Sequence, residues 1–511
     1  MIPLEWMPPL MFGGLIIFML IGFPVAFSLM AAALFFAAIA ISEGFFGMPF
    51  LQAIPQRIFG SVLANDLLLA IPFFTFMGAI LERCGLAEEM LDSMGQLFGR
   101  IRGGLGYSVI IVGFILGAIT GTVAAQVIAM AMISLPVMMR YGYNMRYATG
   151  VLAASGTITQ LVPPSLVLIV LADQLKTQSG SADVGSMYLG AWGPSLLQIA
   201  LFALYTFFLS RIRPDDLPPI PQSDLTLKGW ALWKKCLLGI IPSAVLIFLV
   251  LGTIMTGIAT PTESGAMGAM GALLLAWLRR AHIPNLKGLI QEAYQNTMRI
   301  TAMVVFILIG STCFSVVFQG VDGGFWVESL FSDLPGGWIG FLIVVNLFIF
   351  FLAFFLDFFE IAFIVVPMLA PVAVKLLSPV LLDSMNGNPQ AAASAALVWF
   401  GVILCVNMQT SFMHPPFGFA LFYLRGVAPK EVKSSDIYWG ALPWVGLQLV
   451  MVALVVTFPA LVTTFLDKPA AIVQSQDYNF TGEENKPGSE AAKSKADEDA
   501  PVTFQLDKPG K

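Results

Sequence analysis

Charge is what this 511-residue chain has least of, at 11% Asp, Glu, Lys and Arg, against about 25% in an ordinary soluble domain. Histidine is nearly absent, with two in the whole chain, and cysteine is limited to four. Cys84, Cys236, Cys313 and Cys405 stand far apart, and with His282 and His414 they offer neither zinc spacing nor a disulfide framework. No Gly-x-x-x-x-Gly-Lys-Ser/Thr loop occurs, which excludes nucleotide hydrolysis by this chain. Nor is there a Gly-x-Ser-x-Gly elbow, a His-Glu-x-x-His pair or a kinase set. No basic stripe with interleaved aromatics exists, so nucleic acid is not a partner the sequence suggests. The first basic residue is Arg57, so the charged start of a cleavable signal is missing and the Met1–Pro9 end is expected outside the cytoplasm.

Apolar sequence is what remains, at 58% hydrophobic residues with a mean hydropathy of +0.84. Leu10–Ile41, Leu105–Met139, Met187–Leu209, Cys236–Pro261, Ala302–Val321 and Trp338–Leu356 carry no formal charge. Each approaches or exceeds the roughly 20 residues a helix needs to cross a bilayer core. The pattern predicts an all-α polytopic membrane protein with about 11–13 membrane segments. The clearest lie at 10–41, 62–82, 105–136, 187–210, 236–257, 262–279, 300–320, 338–356, 359–375 and 440–466. The net charge of −5 resides in loops and a polar tail. Basic clusters at Arg100/Arg102, Arg140/Arg146, Arg211/Arg213/Lys234/Lys235 and Arg279/Arg280/Lys287 favour the cytoplasm. The segments between them number oddly in places, which requires either hairpins returning to one side or an outward-facing cluster.

Two apolar stretches, 147–173 and 392–424, are interrupted by Pro163-Pro164 and Pro415-Pro416. Paired prolines stop a helix, and a break at membrane depth survives only where protein or a watery cavity satisfies the backbone. The expected structure is a re-entrant helical hairpin with its tip at each pair, near 156–165 and 407–418. Similar pieces recur in order: Gly22-Phe23-Pro24 with Ala259-Thr260-Pro261, the Phe76–Leu81 region with Ile307–Ser311, and the proline pairs themselves. They divide the chain into a first repeat at 1–210, an aqueous loop at 211–235, a second repeat at 236–466 and a disordered polar tail at 467–511.

Polar side chains concentrate at these breaks. Gly117, Thr120, Gly121 and Thr122 interrupt an apolar run with carbonyl and hydroxyl oxygens suited to a hard cation, though small residues at this spacing also serve helix packing. Ser155, Gly156, Thr157, Thr159, Gln160 and Ser165 surround the first proline pair, where Gln160, Ser165 and a restarting helix can donate to an anion. Asn407, Gln409, Thr410, Ser411 and His414 surround the second. Asp357 and Glu360 share a helix face at i, i+3 and are either functional intramembrane acids or the polar end of a helix. Glu263, after Thr260-Pro261, fits a helix cap as well as a ligand.

Together Thr260-Pro-Thr-Glu263, Gly117–Thr122, the Pro163-Pro164-Ser165 tip, Phe355-Leu-Asp-Phe358 with Pro367 and Pro371, and Pro415-Pro416-Phe-Gly418 resemble the large membrane subunit of the tripartite ATP-independent periplasmic (TRAP) transporters. The resemblance covers about residue 10 to residue 465. It implies a bacterial inner-membrane, sodium-driven, elevator-type importer in two inverted repeats, not an enzyme, and no organic cofactor. Its partners would be a small four-helix membrane subunit and a periplasmic substrate-binding protein that delivers a carboxylate or sugar acid. Sodium sites are implied at Gly117, Thr120, Gly121 and Thr122 with Gly156, Thr157 and Thr159, and at Asp357 and Glu360 with Thr410 and Ser411. Substrate contacts are expected from Gln160, Ser165, Asn407, Gln409 and His414. This chain departs from the family at Thr122, where serine is common, at Thr159-Gln160, where Leu-Gly is common, and at His414, where threonine is common. Two rival readings are a stand-alone carboxylate exchanger of the same superfamily and a membrane-embedded enzyme using Asp357, Glu360 and His414.

Overall fold

The computed structural model describes residues 3–225, 229–281, 283, 285–332, 334–354, 356–415 and 418–468, without the side chains of residues 20, 120 and 332. His282, Phe355, Pro416 and the expected tail from 469 onward lie outside the described residues. The chain is helical, and apart from one isolated bridge between Lys176 and Ser181 no strand occurs among the described residues. Among the described residues eight helices are long and apolar enough to cross a membrane, or nine if the bent pair Met48–Leu63 and Asp66–Arg83 counts as one span. Three shorter apolar helices accompany them. Side chains such as Phe248 and Ile258, 80% and 78% exposed, cover the outside. An apolar surface on this scale suits lipid and not water.

The elements follow in order along the chain, on either side of the loop at 213–229. The first half has α1 (Met7–Leu20), α2 (Val25–Ser42), α3 (Ala53–Arg57), α4 (Ala70–Arg83), α5 (Leu86–Phe98), α6 (Gly104–Thr120), α7 (Val123–Arg140), α8 (Met145–Thr157), α9 (Leu166–Gln174) and α10 (Val184–Ile212). The second half has α11 (Trp230–Met255), α12 (Pro261–Leu278), α13 (Leu286–Gly320), α14 (Gly323–Ser332), α15 (Gly337–Leu352), α16 (Phe358–Leu381), α17 (Pro389–Met408), α18 (Phe419–Val427) and α19 (Ser434–Thr457), followed by α20 (Ala460–Thr463). The stretch expected as one segment at 10–41 is two helices, because Gly22 takes a positive φ of 95° and Pro24 starts a new helix. The two halves interlock: α2 packs on α13, α4 on α12, α9 on α16 and α18 on α7.

The chain reverses at positions other than those expected. Leu105 N–H donates to the Tyr143 hydroxyl at 3.3 Å, and Gln126 Nε2 donates to the Gly113 carbonyl at 2.6 Å. Residues on either side of Gly121 therefore face each other, and α6–α7 is the fold-back, with Gly121 at φ 63° as its turn. In the second half Lys375 of α16 pairs with Glu328 of α14, beside the start of α15, so α15–α16 folds back across 353–357. The proline pairs are instead breaks within segments that continue onward. α9 packs on α10, α16 and α17, not on α8. The Cys405 thiol donates to the Gln160 carbonyl at 3.2 Å, whereas Ser181 N–H meets Ser394 at 3.3 Å, several turns back along α17. Proline ends a helix but does not set the direction in which the chain leaves, and the expectation of hairpin tips at the pairs is corrected on that ground.

The fold-back answers the odd spacing of the basic clusters. Ion pairs Arg83–Glu292, Arg279–Glu89, Lys235–Asp92 and Arg146–Asp436 join the ends of α4, α5, α8, α11, α12, α13 and α19 on one face. The inter-half loop binds the same face, through Ile220 N–H to the Gly99 carbonyl at 2.8 Å and Asn144 to Asp216 at 3.2 Å. The basic clusters all lie there. The opposite face carries Arg57, Lys176 and Lys375, held by Gln319, Asp173 and Glu328. The positive-inside rule makes the first face cytoplasmic. Single cysteines at exposed Ser223 and Ser329 are accordingly expected to label from opposite sides of the membrane, Ser329 from the periplasm. Labelling of both by an impermeant reagent added to intact cells contradicts this orientation.

Candidate functional site

Each proline break lies level with a fold-back tip, because one helix of the fold-back runs parallel to the broken segment. Along α6 and α8, glycines make that approach possible. A Cβ on Gly113 would stand 2.8 Å from Ser155 Cβ, and one on Gly117 would stand 3.1 Å from Thr159 Cα. In the second half Trp338 meets Trp399, Phe341 meets Phe400, and Asn407 Nδ2 donates to the Asn346 carbonyl at 2.8 Å. The aromatic ladder ends with Phe354 stacked on the His414 ring at 4.1 Å.

At the first break α8 tightens into a 3-10 turn over Ile158–Gln160, and Pro163 and Pro164 are joined by a cis peptide bond. Ser165 restarts the helix, accepting from Val167 N–H at 3.2 Å and donating to the Gln160 carbonyl. At the second, α17 tightens over Gln409–Phe412, and Gly418 N–H returns to the His414 carbonyl at 2.7 Å. Gln448 of α19 joins the two breaks. Its amide donates to Thr157 Oγ1 at 3.0 Å and to Gln409 Oε1 at 3.5 Å. Gln409 in turn exchanges amide bonds with Gln198 of α10, at 2.7 Å and 3.3 Å. Gln126, Gln198, Gln409 and Gln448 are all fully buried.

Of the expected sodium residues, the structure gathers Gly117, Gly156, Thr157 and Thr159 around the first break. The Thr159 hydroxyl donates to Gln126, whose amide binds the Ser155 carbonyl at 3.0 Å. Gly121 and Thr122 form the tip, where Thr122 is extended and caps nothing; the Thr120 side chain lies outside the described residues. Thr410 and Ser411 return their hydroxyls to Asn407 and Met408, both at 2.7 Å. Asp357 and Glu360 form a capping box, with Glu360 N–H on Asp357 at 3.0 Å and Asp357 N–H on Glu360 at 3.1 Å. Among the described residues no hydrogen bond joins these acids to Thr410, Ser411 or His414. The box places both carboxylates at the N-terminus of α16, where the helix dipole favours negative charge. Thr260 and Glu263 make the same box at the start of α12.

The expected substrate residues divide. Ser165, Asn407 and Gln409 are engaged by the protein. Among the described residues both amide atoms of Gln160, 3% exposed, lack a partner, as do Asn407 Oδ1, Gln448 Oε1 and Ser155 Oγ. The His414 ring lies in an aromatic cleft against Phe350 and Phe354, with the Ala353 backbone beside it. Buried polar atoms ordinarily find partners, and each that does not costs about 1–3 kcal/mol. Spare bonding capacity at the two helix breaks, as at Gln160 and Asn407, is what a polar ligand or ion would use. Gln126, Gln198, Gln448 and Asn346 were not singled out from sequence. Their signal is a solitary amide inside an apolar helix.

The model of the family described as tripartite ATP-independent periplasmic transporter, DctM component, matches residues 12–461. The C4-dicarboxylate TRAP transporter large permease protein DctM of Rhodobacter capsulatus is 27% identical over 463 residues, 88% of this chain and 97% of that protein. The sialic acid TRAP transporter large permease protein SiaM of Vibrio cholerae is 26% identical over 438 residues, 86% of this chain and 93% of that protein. The crystal structure of the Alcanivorax borkumensis YdaH transporter is similar at a TM-score of 0.52 and 16% identity, over 80% of this chain and 87% of that one. That last likeness concerns the fold alone.

Proposed function

This chain belongs to the DctM component family of the tripartite ATP-independent periplasmic transporters, and from that premise we propose that it is a sodium-coupled importer of an organic anion. Membership makes it a multi-pass membrane permease subunit and not an enzyme. In our reading a periplasmic substrate-binding protein delivers the anion, and a small four-helix membrane subunit completes the assembly. Relatives named for C4-dicarboxylates and for sialic acid support a substrate of the carboxylate or sugar-acid class.

The observation that carries the reading is the pairing of two buried helix breaks through Gln448 and Gln409, each beside a fold-back tip. Unwound backbone beside half-helix ends supplies carbonyls to a cation and N–H groups to an anion. Sodium at the Gly117–Thr122 and Gly156–Thr159 oxygens would neutralise the region that the anion then enters. The halves read as inverted repeats because α19 runs along α8 (Gly440 at Gly150, Gln448 at Thr157) but against α17 (Val455 at Trp399, Gln448 at Gln409). α10 reciprocally runs along α17 and against α8. Elevator motion would slide α6–α10 and α15–α19 as a group past a frame of α1–α5 and α11–α14.

Replacing external sodium with potassium is expected to reduce uptake roughly tenfold or more in proteoliposomes holding the complete system, the size of a coupling free energy of about 1–3 kcal/mol. Full-rate uptake without a sodium gradient overturns the coupling.

A further inference from the structure

A cleft of about 560 Å³ opens on the periplasmic face, away from the proline breaks. Its walls belong to the two groups of helices. One side is residues 57–66 and α13, and the other is the end of α9 and the middle of α16. The volume lies within the ~300–1,000 Å³ of small-molecule sites. Its charges are not equivalent. Lys176 is neutralised by Asp173 at 2.7 Å, and Asn65 donates to the same carboxylate at 2.8 Å. Among the described residues Arg57 has only a neutral partner, the Gln319 side-chain oxygen at 2.8 Å, and Asp66 pairs with neither cation. On the same wall, Ser311 and Thr312 of α13 donate their hydroxyls back to the Leu308 carbonyl at 3.0 and 2.8 Å. In that arrangement their oxygens present lone pairs to the cleft.

We propose that this cleft is the periplasmic reception site for the cargo, and that it favours a singly charged, hydroxyl-bearing organic acid of the sugar-acid type over a dicarboxylate. One guanidinium without an acidic partner binds one carboxylate, in the two-pronged geometry that arginine offers. A second carboxylate on a short carbon chain would find Lys176 already paired with Asp173 and would face the Asp66 carboxylate, whereas hydroxyls and amide N–H groups of a sugar acid donate to carboxylate and hydroxyl oxygens. The inference rests on the importer reading and narrows its substrate class.

Ser61 is exposed and lines the cleft, and the four native cysteines are buried, so Ser61→Cys provides a reporter for impermeant thiol reagents applied from the periplasmic side. An anionic methanethiosulfonate is expected to react faster than a cationic one, with that preference lost in Arg57→Gln and retained in Arg57→Lys. N-acetylneuraminate or glucuronate at millimolar concentration is expected to slow labelling several-fold, and succinate to leave it unchanged. Equal protection by succinate overturns the specificity, and no protection by any of the three, or a charge preference indifferent to Arg57, overturns the site. Sodium-independent uptake together with sugar-acid protection would instead defeat the coupled-import reading and leave the cleft standing.

Discussion

Replacing Gln409 with leucine is expected to reduce uptake more than tenfold and to lower the thermal stability of the purified protein. The wild-type side chain is a two-sided partner. It closes an amide pair with Gln198 and accepts from Gln448, all in a fully buried setting. Leucine keeps the volume but leaves two buried amides short of a partner, at about 1–3 kcal/mol for each group left unsatisfied. Removing both members of a buried pair can be nearly neutral, so Gln198→Leu combined with Gln409→Leu is expected to be more stable than Gln409→Leu alone. Uptake should stay low in the double variant, because the link from Gln448 across the two breaks is still missing. Differential scanning fluorimetry and initial uptake rates measure the two quantities separately. A double variant that recovers both would make the amide chain a packing feature and remove it from the transport site.

Much of the architecture was legible because bilayers impose simple demands. Uncharged runs marked the spans, and paired prolines marked where two of them are broken. Chain reversal was harder to read. Gly121 needs only a positive φ to turn the chain, and the apolar run 105–136 continues through it because both arms are shielded from water. The proline pairs were the louder signal, yet they interrupt segments that go on. At the site, the i, i+3 spacing of Asp357 and Glu360 is common to a capping box and to a pair of ligands. The glutamines were invisible for a different reason. Gln126, Gln198 and Gln448 each stand alone in sequence, and their partners, from the Gly113 carbonyl to the Thr157 hydroxyl, adjoin them only after three helices cross.

A methyl group at Gly117 should act on the cation more than on the anion. Its Cβ would stand 3.1 Å from Thr159 Cα and 3.3 Å from Thr159 N, both backbone atoms that no rotamer change can move aside. The fold-back tip and the first break would have to separate by a few tenths of an ångström. Oxygen ligands bind hard cations within narrow distances, so displacement at this scale weakens a cation site held between them. Gly117→Ala is therefore expected to raise the sodium concentration for half-maximal uptake by roughly an order of magnitude, with the anion KM at saturating sodium moved much less. Gly268→Ala provides the contrast, since its Cβ would meet the Met77 sulfur at 2.7 Å and Val250 at 2.8 Å between frame helices α4, α11 and α12. Overpacking there costs about 1–3 kcal/mol and should lower stability without altering the sodium curve. A sodium dependence shifted equally in both variants, or in neither, would remove the Gly117–Thr159 contact from the coupling site.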